Sequence, residues 1–399
     1  MLDAAVLIAA IAVLGVLFHP AVWRRRGWRA TVTPLASIIG SGFLVIGPIL
    51  NDSYGRAAAL VMAALCVLAL LFGAAIRANI ARIAAAPGQR GSAELRLERL
   101  SSWILTIAYV ISVAYYLNLF GAFAVSLADD GGTRQQARLV TTAVFVMIAL
   151  IGWTRGFGAL EGLEKLSVTL KLAIIAGLLT GLALHVARQA SMGALVLGAP
   201  RLQGWEAASI AFGLIVTVQG FETSRYLGDE YDPATRIASM RRAQLIAAAI
   251  YVPYTAMVSV AFPAADIALS ETAIIDIMRV VAPILPVLLV AAALLSQFSA
   301  AVADTVGAGG LLAEESRGRV APRSGYVVLV AVGIALTWSA NVFEIITIAS
   351  RAFALYYASQ AAIAALGCAR ARRRLPAGGF ALLAGLGALM FATGMPVAV

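Results

Sequence analysis

Long apolar runs alternate with short polar connections along the whole 399-residue chain. A helix needs roughly 20 apolar residues to cross the hydrocarbon core of a bilayer. An outer-membrane barrel is excluded, because its strands would alternate apolar and polar positions instead of running apolar throughout. The pattern predicts twelve membrane-spanning helices, numbered here as spans 1–12: 3–22, 30–50, 56–77, 102–127, 137–153, 163–186, 206–226, 240–263, 273–304, 325–341, 343–367 and 378–397.

The basic residues follow these spans in alternation. Of the 30 lysines and arginines, 21 fall in connections that follow odd-numbered spans, 6 fall on the opposite side and 3 lie inside spans. Cytoplasmic loops of membrane proteins carry the excess of basic residues. We therefore expect the side with 21, called the basic side below, to be cytoplasmic. The chain is then a multi-pass protein of the cytoplasmic (inner) membrane, with both termini outside the cytoplasm.

The composition excludes a soluble protein. Apolar residues make up 61% of the chain, charged residues 13%, and the mean hydropathy is +0.91, whereas a soluble domain is nearer half apolar and a quarter charged. The net charge of +10 is explained by the loop asymmetry, so we expect no nucleic-acid partner. Cys66 and Cys368 are too few for a disulfide framework.

Two spans contain segments that fit a continuous helix poorly. Span 2 contains Gly-Ser-Gly at residues 40–42, and span 7 contains Gln-Gly-Phe-Glu at residues 219–222. Glycine costs about 1 kcal/mol relative to alanine inside a helix. Non-helical backbone at membrane depth is tolerated only where it is buried in protein or lines a cavity. We expect both helices to break there; close packing through small residues is the alternative.

The two interrupted spans are five apart and therefore cross the membrane in opposite directions. An inverted repeat of five plus five helices requires this arrangement. We expect a first repeat at 30–187 and a second at 205–368. Residues 1–29 and 369–399 then each add a basic loop and one peripheral helix. The predicted fold is an all-α polytopic membrane protein of about twelve transmembrane helices, with two broken helices.

These features resemble the amino acid–polyamine–organocation (APC) superfamily of secondary transporters, which has the LeuT-type fold. Gly40-Ser41-Gly42-Phe43 is similar to the family's G-S-G-I-F, without its Ile. Gly220-Phe221-Glu222, followed by Asp229–Arg236, is similar to its G-F-E and E-x-x-N-P-x-R. The segment Leu294–Arg317 is similar to its eighth core helix. The resemblance covers about residues 30–370.

The resemblance implies a permease that moves a small organic solute, an amino acid or amine, by alternating access and without a cofactor. It assigns the substrate carboxylate to the backbone of Ile39, Gly40, Ser41, Gly42 and Phe43. It assigns the substrate amine to carbonyl groups around Val218, Gln219 and Gly220. Phe221 would gate the pocket or form its floor. Tyr115 and Tyr116 lie where the third core helix faces the pocket; packing aromatics are the alternative.

Charged residues inside spans are candidates for coupling, because an unpaired charge at a helix centre costs about 2.5–3.5 kcal/mol. Lys171 lies six residues deeper than Lys165, about 9 Å at 1.5 Å per residue. In some proton-coupled members of the family, a lysine there takes the place of a sodium ion between the first and eighth core helices. Lys171 is therefore a proton carrier, or else part of a static ion pair. A positive charge at Lys171 favours proton coupling or exchange over sodium coupling. A sodium ion would take hydroxyl ligands from Ser296 and Ser299.

Glu222 is the best acidic candidate, as a proton acceptor, substrate partner or gate; a pair with Arg225 is the alternative. For Asp304 and Arg351 we expect a structural ion pair. The alternative is that Glu344 and Arg351, two turns apart on one helix face, bracket the same vestibule.

The sequence lacks the motifs of ATP-binding proteins and of metal-dependent hydrolases. The chain contains no phosphate-binding G-x-x-x-x-G-K-[ST] and no H-E-x-x-H, and its two histidines lie near predicted helix ends. We therefore expect neither an enzyme nor a metal site. An inorganic- or metal-ion carrier of the same fold, and a membrane receptor or enzyme that does not transport, are the alternatives.

Overall fold

The computed structural model describes the whole chain apart from residues 1, 41, 87, 89, 127, 129–131, 155–160, 229, 265, 266, 268, 317, 398 and 399, and apart from the side chains of 161–164, 322 and 323. Over this part, the regular structure consists of fifteen α-helices and three short 3-10 helices. The α-helices are α1 (Leu2–Phe18), α2 (Pro20–Trp23), α3 (Arg26–Gly40), α4 (Phe43–Tyr54), α5 (Ala58–Ala85), α6 (Ser92–Val125), α7 (Arg134–Thr154), α8 (Glu161–Ser191), α9 (Gly204–Phe212), α10 (Pro233–Ala261), α11 (Ala273–Val281), α12 (Leu285–Glu315), α13 (Pro322–Ser339), α14 (Val342–Arg370) and α15 (Arg374–Thr393).

Eight helical segments among the described residues are long and apolar enough to cross a membrane: Phe43–Ala85, Ser92–Val125, Arg134–Thr154, Lys165–Ser191, Pro233–Ala261, Leu285–Glu315, Val342–Arg370 and Arg374–Thr393. The first of these joins α4 to α5 through the 3-10 turn Gly55–Ala57. Predicted spans 1 and 10 form the shorter apolar helices Leu2–Phe18 and Ser324–Ser339. Predicted spans 2 and 7 are divided by breaks. The all-α polytopic fold class is confirmed.

The predicted bounds of span 9 are wrong. Residues Ala273–Val281 form the separate short helix α11, and the long helix α12 begins only at Leu285. The cause is Pro283, because a proline forces the residue before it out of the helical region. Ala282 accordingly has φ −157° and ψ 129°. The apolar run was predicted as one helix because Pro283 was not treated as a helix boundary.

The first predicted break occurs at the predicted residues. Helix α3 ends at Gly40 and α4 begins at Phe43. Between them Gly42 has φ 144° and ψ 11°, a conformation that side chains disfavour. Ser41 lies outside the described residues. Span 2 is therefore two half-helices joined end to end by a short non-helical link.

The second break is longer. Helix α9 ends at Phe212, and the chain continues as two 3-10 helices, Ile215–Val218 and Phe221–Tyr226. Gln219 between them is extended, with φ −80° and ψ 171°, and Gly220 has φ 115°. Both helices predicted to be broken are therefore broken, and the second is unwound over its whole basic-side half.

The two breaks lie against each other, which explains two of the glycines. A Cβ atom on Gly42 would lie 2.9 Å from Cγ2 of Thr217, a residue of the second break. A Cβ atom on Gly220 would lie 2.4 Å from Oγ of Ser37, a residue of α3. Contacts this short are sterically forbidden, so only glycine permits the approach of the two segments at these positions.

The terminal helices are peripheral. Helix α1 packs on α8, where Cβ atoms on Gly177 and Gly181 would lie within 3 Å of atoms of Val6. Helix α15 packs on α14 through Gly387 and Ala358. Small residues allow such close helix approach in membranes. The division of the chain into two repeats with a peripheral helix at each end, and its residue bounds, remain a prediction.

Gly220→Ala is expected to destabilise the protein by at least about 1–2 kcal/mol, because alanine disfavours a left-handed conformation and its Cβ would overlap Ser37. Gly310→Ala is the matched control, since Gly310 lies in α12 with open space around its Cβ position. It is expected to stabilise the helix by about 0.5–1 kcal/mol. Thermal unfolding of both purified variants measures the difference. Equal melting temperatures would contradict the packing described here.

Candidate functional site

Half-helix ends meet at the first break. Ile39 and Gly40 are the last residues of α3, and Phe43 is the first of α4. Within the described part of the chain, no side-chain hydrogen bond caps the start of α4 at Gly42. The first N–H groups of a helix have no acceptor within the helix and attract anions. The structure thus places an uncapped helix N-terminus at the residues predicted to bind a carboxylate; such binding remains a prediction.

Side chains from other helices satisfy the backbone groups that the breaks free. The Tyr251 hydroxyl donates to the carbonyl of Ile38 at 2.7 Å. In the second break the N–H of Val216 donates to Oγ of Ser350 at 3.0 Å. A buried backbone group without a partner costs free energy comparable to a lost hydrogen bond. These two side chains therefore help to stabilise the non-helical backbone of the breaks.

The predicted amine-binding segment adjoins the predicted aromatic wall. Nε2 of Gln219 donates to the Tyr116 hydroxyl at 2.6 Å, and the Tyr115 hydroxyl would lie 2.8 Å from a Cβ atom on Gly42. Val218 and Gly220 flank Gln219 in the same non-helical stretch. The structure therefore brings α6 and both breaks together, as the pocket prediction requires, while the roles of these residues in binding remain untested.

Aromatic side chains seal this region from solvent. Phe43, Tyr115, Tyr116, Tyr254 and Phe221 are each at most 2% exposed. The rings of Phe43 and Tyr254 lie 4.5 Å apart, and that of Phe221 stacks on Tyr357 at 5.0 Å. The conformation is one in which the residues around the two breaks are enclosed on both sides.

Lys171 lies at the junction of three helices. It is 1% exposed, and its Nζ is 3.2 Å from Oγ of Ser296 on α12 and 3.4 Å from the carbonyl of Ala36 on α3. This is the position between the first and eighth core helices that the sequence predicts. Ser299 is half-buried, and its hydroxyl donates to the carbonyl of Ser296 at 3.2 Å. This hydrogen bond lies within α12 itself.

Lys165 has a structural environment. Its Nζ donates to the carbonyl of Trp23 at 2.6 Å and lies 3.6 Å from the centre of the Trp23 ring, a cation–π contact. Glu161, one helical turn before Lys165, has its side chain outside the described ones. Lys165 thus anchors α8 to the N-terminal segment, whereas Lys171 reaches the helix break.

Glu222 is fully buried and holds the second break in shape. Its Oε2 accepts hydrogen bonds from the N–H of Gly220 at 3.0 Å and from the Tyr357 hydroxyl at 2.9 Å. Its other oxygen, Oε1, has no hydrogen-bond partner among the described residues. The alternative that Glu222 pairs with Arg225 is wrong, because Arg225 is bonded to Glu98. A buried acceptor is therefore available for a proton or a donor group.

A polar network closes the basic side beyond Glu222. Arg225, from the second 3-10 helix, bonds to Glu98 of α6 and to Gln360 of α14. Two further arginines, Arg82 and Arg370, bond to the buried Glu94 at 2.8 and 3.0 Å. Charges that are paired and hydrogen-bonded can be buried without a large penalty. The network fastens the unwound half of span 7 to α6 and α14.

The APC-like motif after the second break anchors this network. The Asp232 carboxylate caps α10 by accepting from the hydroxyl and N–H of Thr235 at 2.6 and 2.9 Å. These bonds lower the pKa of Asp232 below its usual range. Arg236 donates from Nη1 to the carbonyl of Arg225 at 2.7 Å. The motif thus ties the end of the unwound segment to the start of the next helix.

The predicted ion pair between Asp304 and Arg351 is wrong. Asp304 faces α6, where it is bonded to Ser112, whereas Arg351 donates from Nε to the carbonyl of Phe391 at 2.7 Å. Phe391 lies in the last turn of α15, so Arg351 satisfies one of the orphan carbonyls of a helix C-terminus. Glu344 forms a capping box with Asn341 at the start of α14.

Several residues around the site were missed by sequence reasoning: Ser112, Tyr251, Tyr254, Ser350 and Tyr357. Each is a hydroxyl-bearing side chain within a membrane-spanning helix, and this was the available signal. Their partners are distant in sequence, so the pairing was not predictable. Among the described residues, no group of three or more His, Cys, Asp and Glu side chains is arranged to hold a metal ion.

Comparisons with known proteins agree with this architecture. A family model described as "APC superfamily transporter" matches residues 20–394. An uncharacterized protein of Aquifex aeolicus (strain VF5) is 44% identical over 355 residues, which cover 86% of this chain and 85% of the relative.

A solved structure shares the fold. Mhp1, a nucleobase-cation-symport-1 family transporter in a closed conformation with bromovinylhydantoin bound, matches with a TM-score of 0.56. The match covers 92% of this chain and 89% of Mhp1, at 15% identity, so the likeness concerns the fold alone. The family match spans nearly the whole chain, and it confirms the resemblance expected from the two glycine-containing motifs. This protein is a multi-pass membrane transporter, not an enzyme, and it belongs to the APC superfamily.

Proposed function

We propose that this protein is a secondary active permease that moves an amino acid or amine across the cytoplasmic membrane by alternating access, with protons as the coupling ion. The observation that carries the proposal is the position of Lys171, whose ammonium group bridges α3 and α12 from α8. The basic side, which the polar network around Arg225 closes, is the cytoplasmic side.

Lys171 can link protonation to access because it contacts one half of a broken helix. As an ammonium group it has three hydrogens to donate, and Ala36 and Ser296 lie within reach. Loss of the proton removes one charge and one donor from this junction. The attachment of α3 to α12 then weakens, so α3 is freed to move while the substrate end of the same helix changes its exposure.

Protons are favoured over sodium at this junction. A sodium ion would need the carbonyls of α3 and the hydroxyls of α12 as ligands, and Lys171 already engages Ser296 and Ala36. The nearby Ser299 hydroxyl is directed to its own helix. An ammonium group therefore occupies the position where the cation would bind.

A zwitterionic or cationic substrate fits the groups around the breaks. The uncapped N-terminus of α4 can accept a carboxylate. Oε1 of Glu222 is buried without a hydrogen-bond partner among the described residues, so it can accept a hydrogen bond from an amine. These two groups lie on the two breaks, which approach each other at Gly42 and Thr217.

A planar nitrogen heterocycle is the second candidate substrate class. The ring of Phe43 stacks on that of Tyr251 with centres 5.4 Å apart, a wall suited to flat molecules. Mhp1 has bromovinylhydantoin bound. An inorganic- or metal-ion carrier is disfavoured, because Glu222 is the one carboxylate on either break among the described residues.

The substrate class can be tested by uptake measurements. The purified full-length chain is reconstituted in lipid vesicles, and a panel of radiolabelled amino acids, amines, nucleobases and hydantoins is offered with and without an imposed pH gradient. Accumulation of an amino acid or amine that depends on the pH gradient supports the proposal. Accumulation of hydantoins or nucleobases alone supports the second class, and transport that follows a sodium gradient contradicts proton coupling.

Lys171→Ala is expected to abolish accumulation driven by a pH gradient, because the variant lacks the group that binds the coupling proton. Lys165→Ala is the matched control, since Lys165 lies on the same helix but contacts Trp23 outside the site. The measurement is initial uptake of the transported panel compound across a series of imposed pH gradients. If Lys171→Ala retained both uptake and its dependence on the gradient, the coupling role of Lys171 would be wrong.

Arg225→Ala is expected to open the basic side more often, because it removes the bonds to Glu98 and Gln360. A reporter cysteine at Ser359, which is 7% exposed and bonded to Ser101 at 2.7 Å, should then react faster with N-ethylmaleimide. The native Cys66 is replaced by alanine, together with the second native cysteine at position 368.

The control for this experiment is Arg26→Ala. Arg26 also lies on the basic side and is 3.9 Å from Asp232, but both side chains are at least half exposed, and such surface pairs contribute little. Labelling at residue 359 should be unchanged in this variant. Equal labelling rates for Arg225→Ala and the unchanged chain would show that the Arg225 network does not close the basic side.

A further inference from the structure

Asp304 is a buried acid that the proposed mechanism does not use. It lies in the middle of α12 and is 2% exposed. Its Oδ2 is hydrogen-bonded to the hydroxyl of Ser112 on α6. An ionised side chain in a membrane helix is costly unless it is paired, and no lysine or arginine in the described part of the chain forms an ion pair with Asp304 or appears among its electrostatic neighbours.

Ser112 can hydrogen-bond to Asp304 in either protonation state of the acid. Oγ of Ser112 is 3.0 Å from the carbonyl of Tyr109 and is also hydrogen-bonded to Asp304. A serine hydroxyl has one hydrogen to donate and two lone pairs that accept. Ser112 donates to Oδ2 of Asp304 when the acid is ionised. When the acid is protonated, Asp304 can donate to Ser112, whose hydrogen then goes to the carbonyl of Tyr109.

The groups around Asp304 favour a neutral acid over a carboxylate. The titratable side chains that act on it are Tyr109 and Tyr116 from α6 and Glu222 from the second break. The titratable groups of two other packed helices contact α12 at positions away from Asp304. Lys171 of α8 contacts Ser296, and Tyr326 of α13 packs on Gly309. Helix α3 meets α12 at Ala300 through Gly40. Two acids in one buried region repel each other when both are ionised.

Asp304 lies on the same side of α12 as the Lys171 contact. Ser296, Ala300 and Asp304 are four residues apart, a spacing that places them along one helix face. Ser296 contacts Lys171 and Ala300 contacts Gly40. Eight residues of helix separate Ser296 from Asp304, about 12 Å at 1.5 Å per residue. Because α12 ends on the basic side, Asp304 is about two turns nearer that side than Lys171.

We propose that Asp304, with Ser112 as its hydrogen-bond partner and Glu222 as its neighbouring acid, is a second proton-binding site on the basic side of Lys171. Loading adds one proton to Oδ2 and turns the carboxylate into a neutral acid that donates to Ser112. Release restores the carboxylate and delivers one proton toward the basic side. The role of this site in transport rests on the proposed proton coupling, whereas the binding of the proton does not.

The test is infrared spectroscopy on the full-length protein in lipid nanodiscs, because a protonated carboxyl group gives a C=O stretching band that a carboxylate lacks. Spectra are recorded over a pH series in H2O and D2O, with no substrate present. Asp304→Asn is expected to lose one carboxyl component at neutral pH. Asp276→Asn is the matched control, since that side chain is 79% exposed, and it should lose none.

Ser112→Ala provides a second variant that keeps the acid. It removes the hydroxyl that accepts from Asp304, so the carboxyl band is expected to shift in frequency and to disappear at a different pH. If Asp304→Asn does not fold, this variant decides the question. A spectrum of Asp304→Asn that matches the unchanged chain at neutral pH, or a Ser112→Ala band that does not move, would overturn the proposal.

Transport measurements separate this proposal from the proposed function. Asp304→Asn is expected to lose accumulation driven by the pH gradient while retaining counterflow of the transported panel compound, since counterflow needs no net proton movement. If the unchanged chain showed no proton-dependent transport and still showed the Asp304 band, proton coupling would be wrong and the proton site would stand. If Asp304→Asn accumulated the compound normally, the site would have no part in coupling.

Discussion

Backbone groups at membrane depth must find hydrogen-bond partners within the protein, and the two broken helices bring this constraint to the centre of the molecule. Three side chains meet it: Tyr251 bonds to Ile38, Ser350 to Val216, and Glu222 to Gly220. Tyr251 and Ser350 come from other helices, whereas Glu222 belongs to the second break itself. The breaks are therefore specific structures stabilised by these hydrogen bonds.

Glu222 connects the site to the basic side. Its Oε2 fixes Gly220, and the 3-10 helix that begins at Phe221 ends next to Arg225, which is bonded to Glu98 and Gln360. A change in what Glu222 binds therefore acts on a segment of six residues that carries the closing network at its other end. A short 3-10 helix has poorer hydrogen-bond geometry than an α-helix, so this segment is suited to rearrange.

The sequence predicted most accurately what a local pattern determines. Both breaks were predictable, because Gly42 and Gly220 interrupt long apolar runs, and the depth of Lys171 followed from counting residues along a helix. The start of α12 was mispredicted because Pro283 lies within an unbroken apolar run. The expected pair of Asp304 with Arg351 failed for another reason: the partners of a helix residue depend on how each helix is rotated, and apolar composition on all faces hides that rotation.

The buried ionisable groups are separated by type. Lys171 lies where α3, α8 and α12 meet, whereas Asp304 and Glu222 lie between α6, α12, α14 and the second break. These groups belong to segments that the breaks allow to move separately. Electrostatic interaction between buried charges is strong because the surroundings screen it little. Any movement that changes their separation therefore changes the free energy of protonating them, which is the physical basis of the proposed proton coupling.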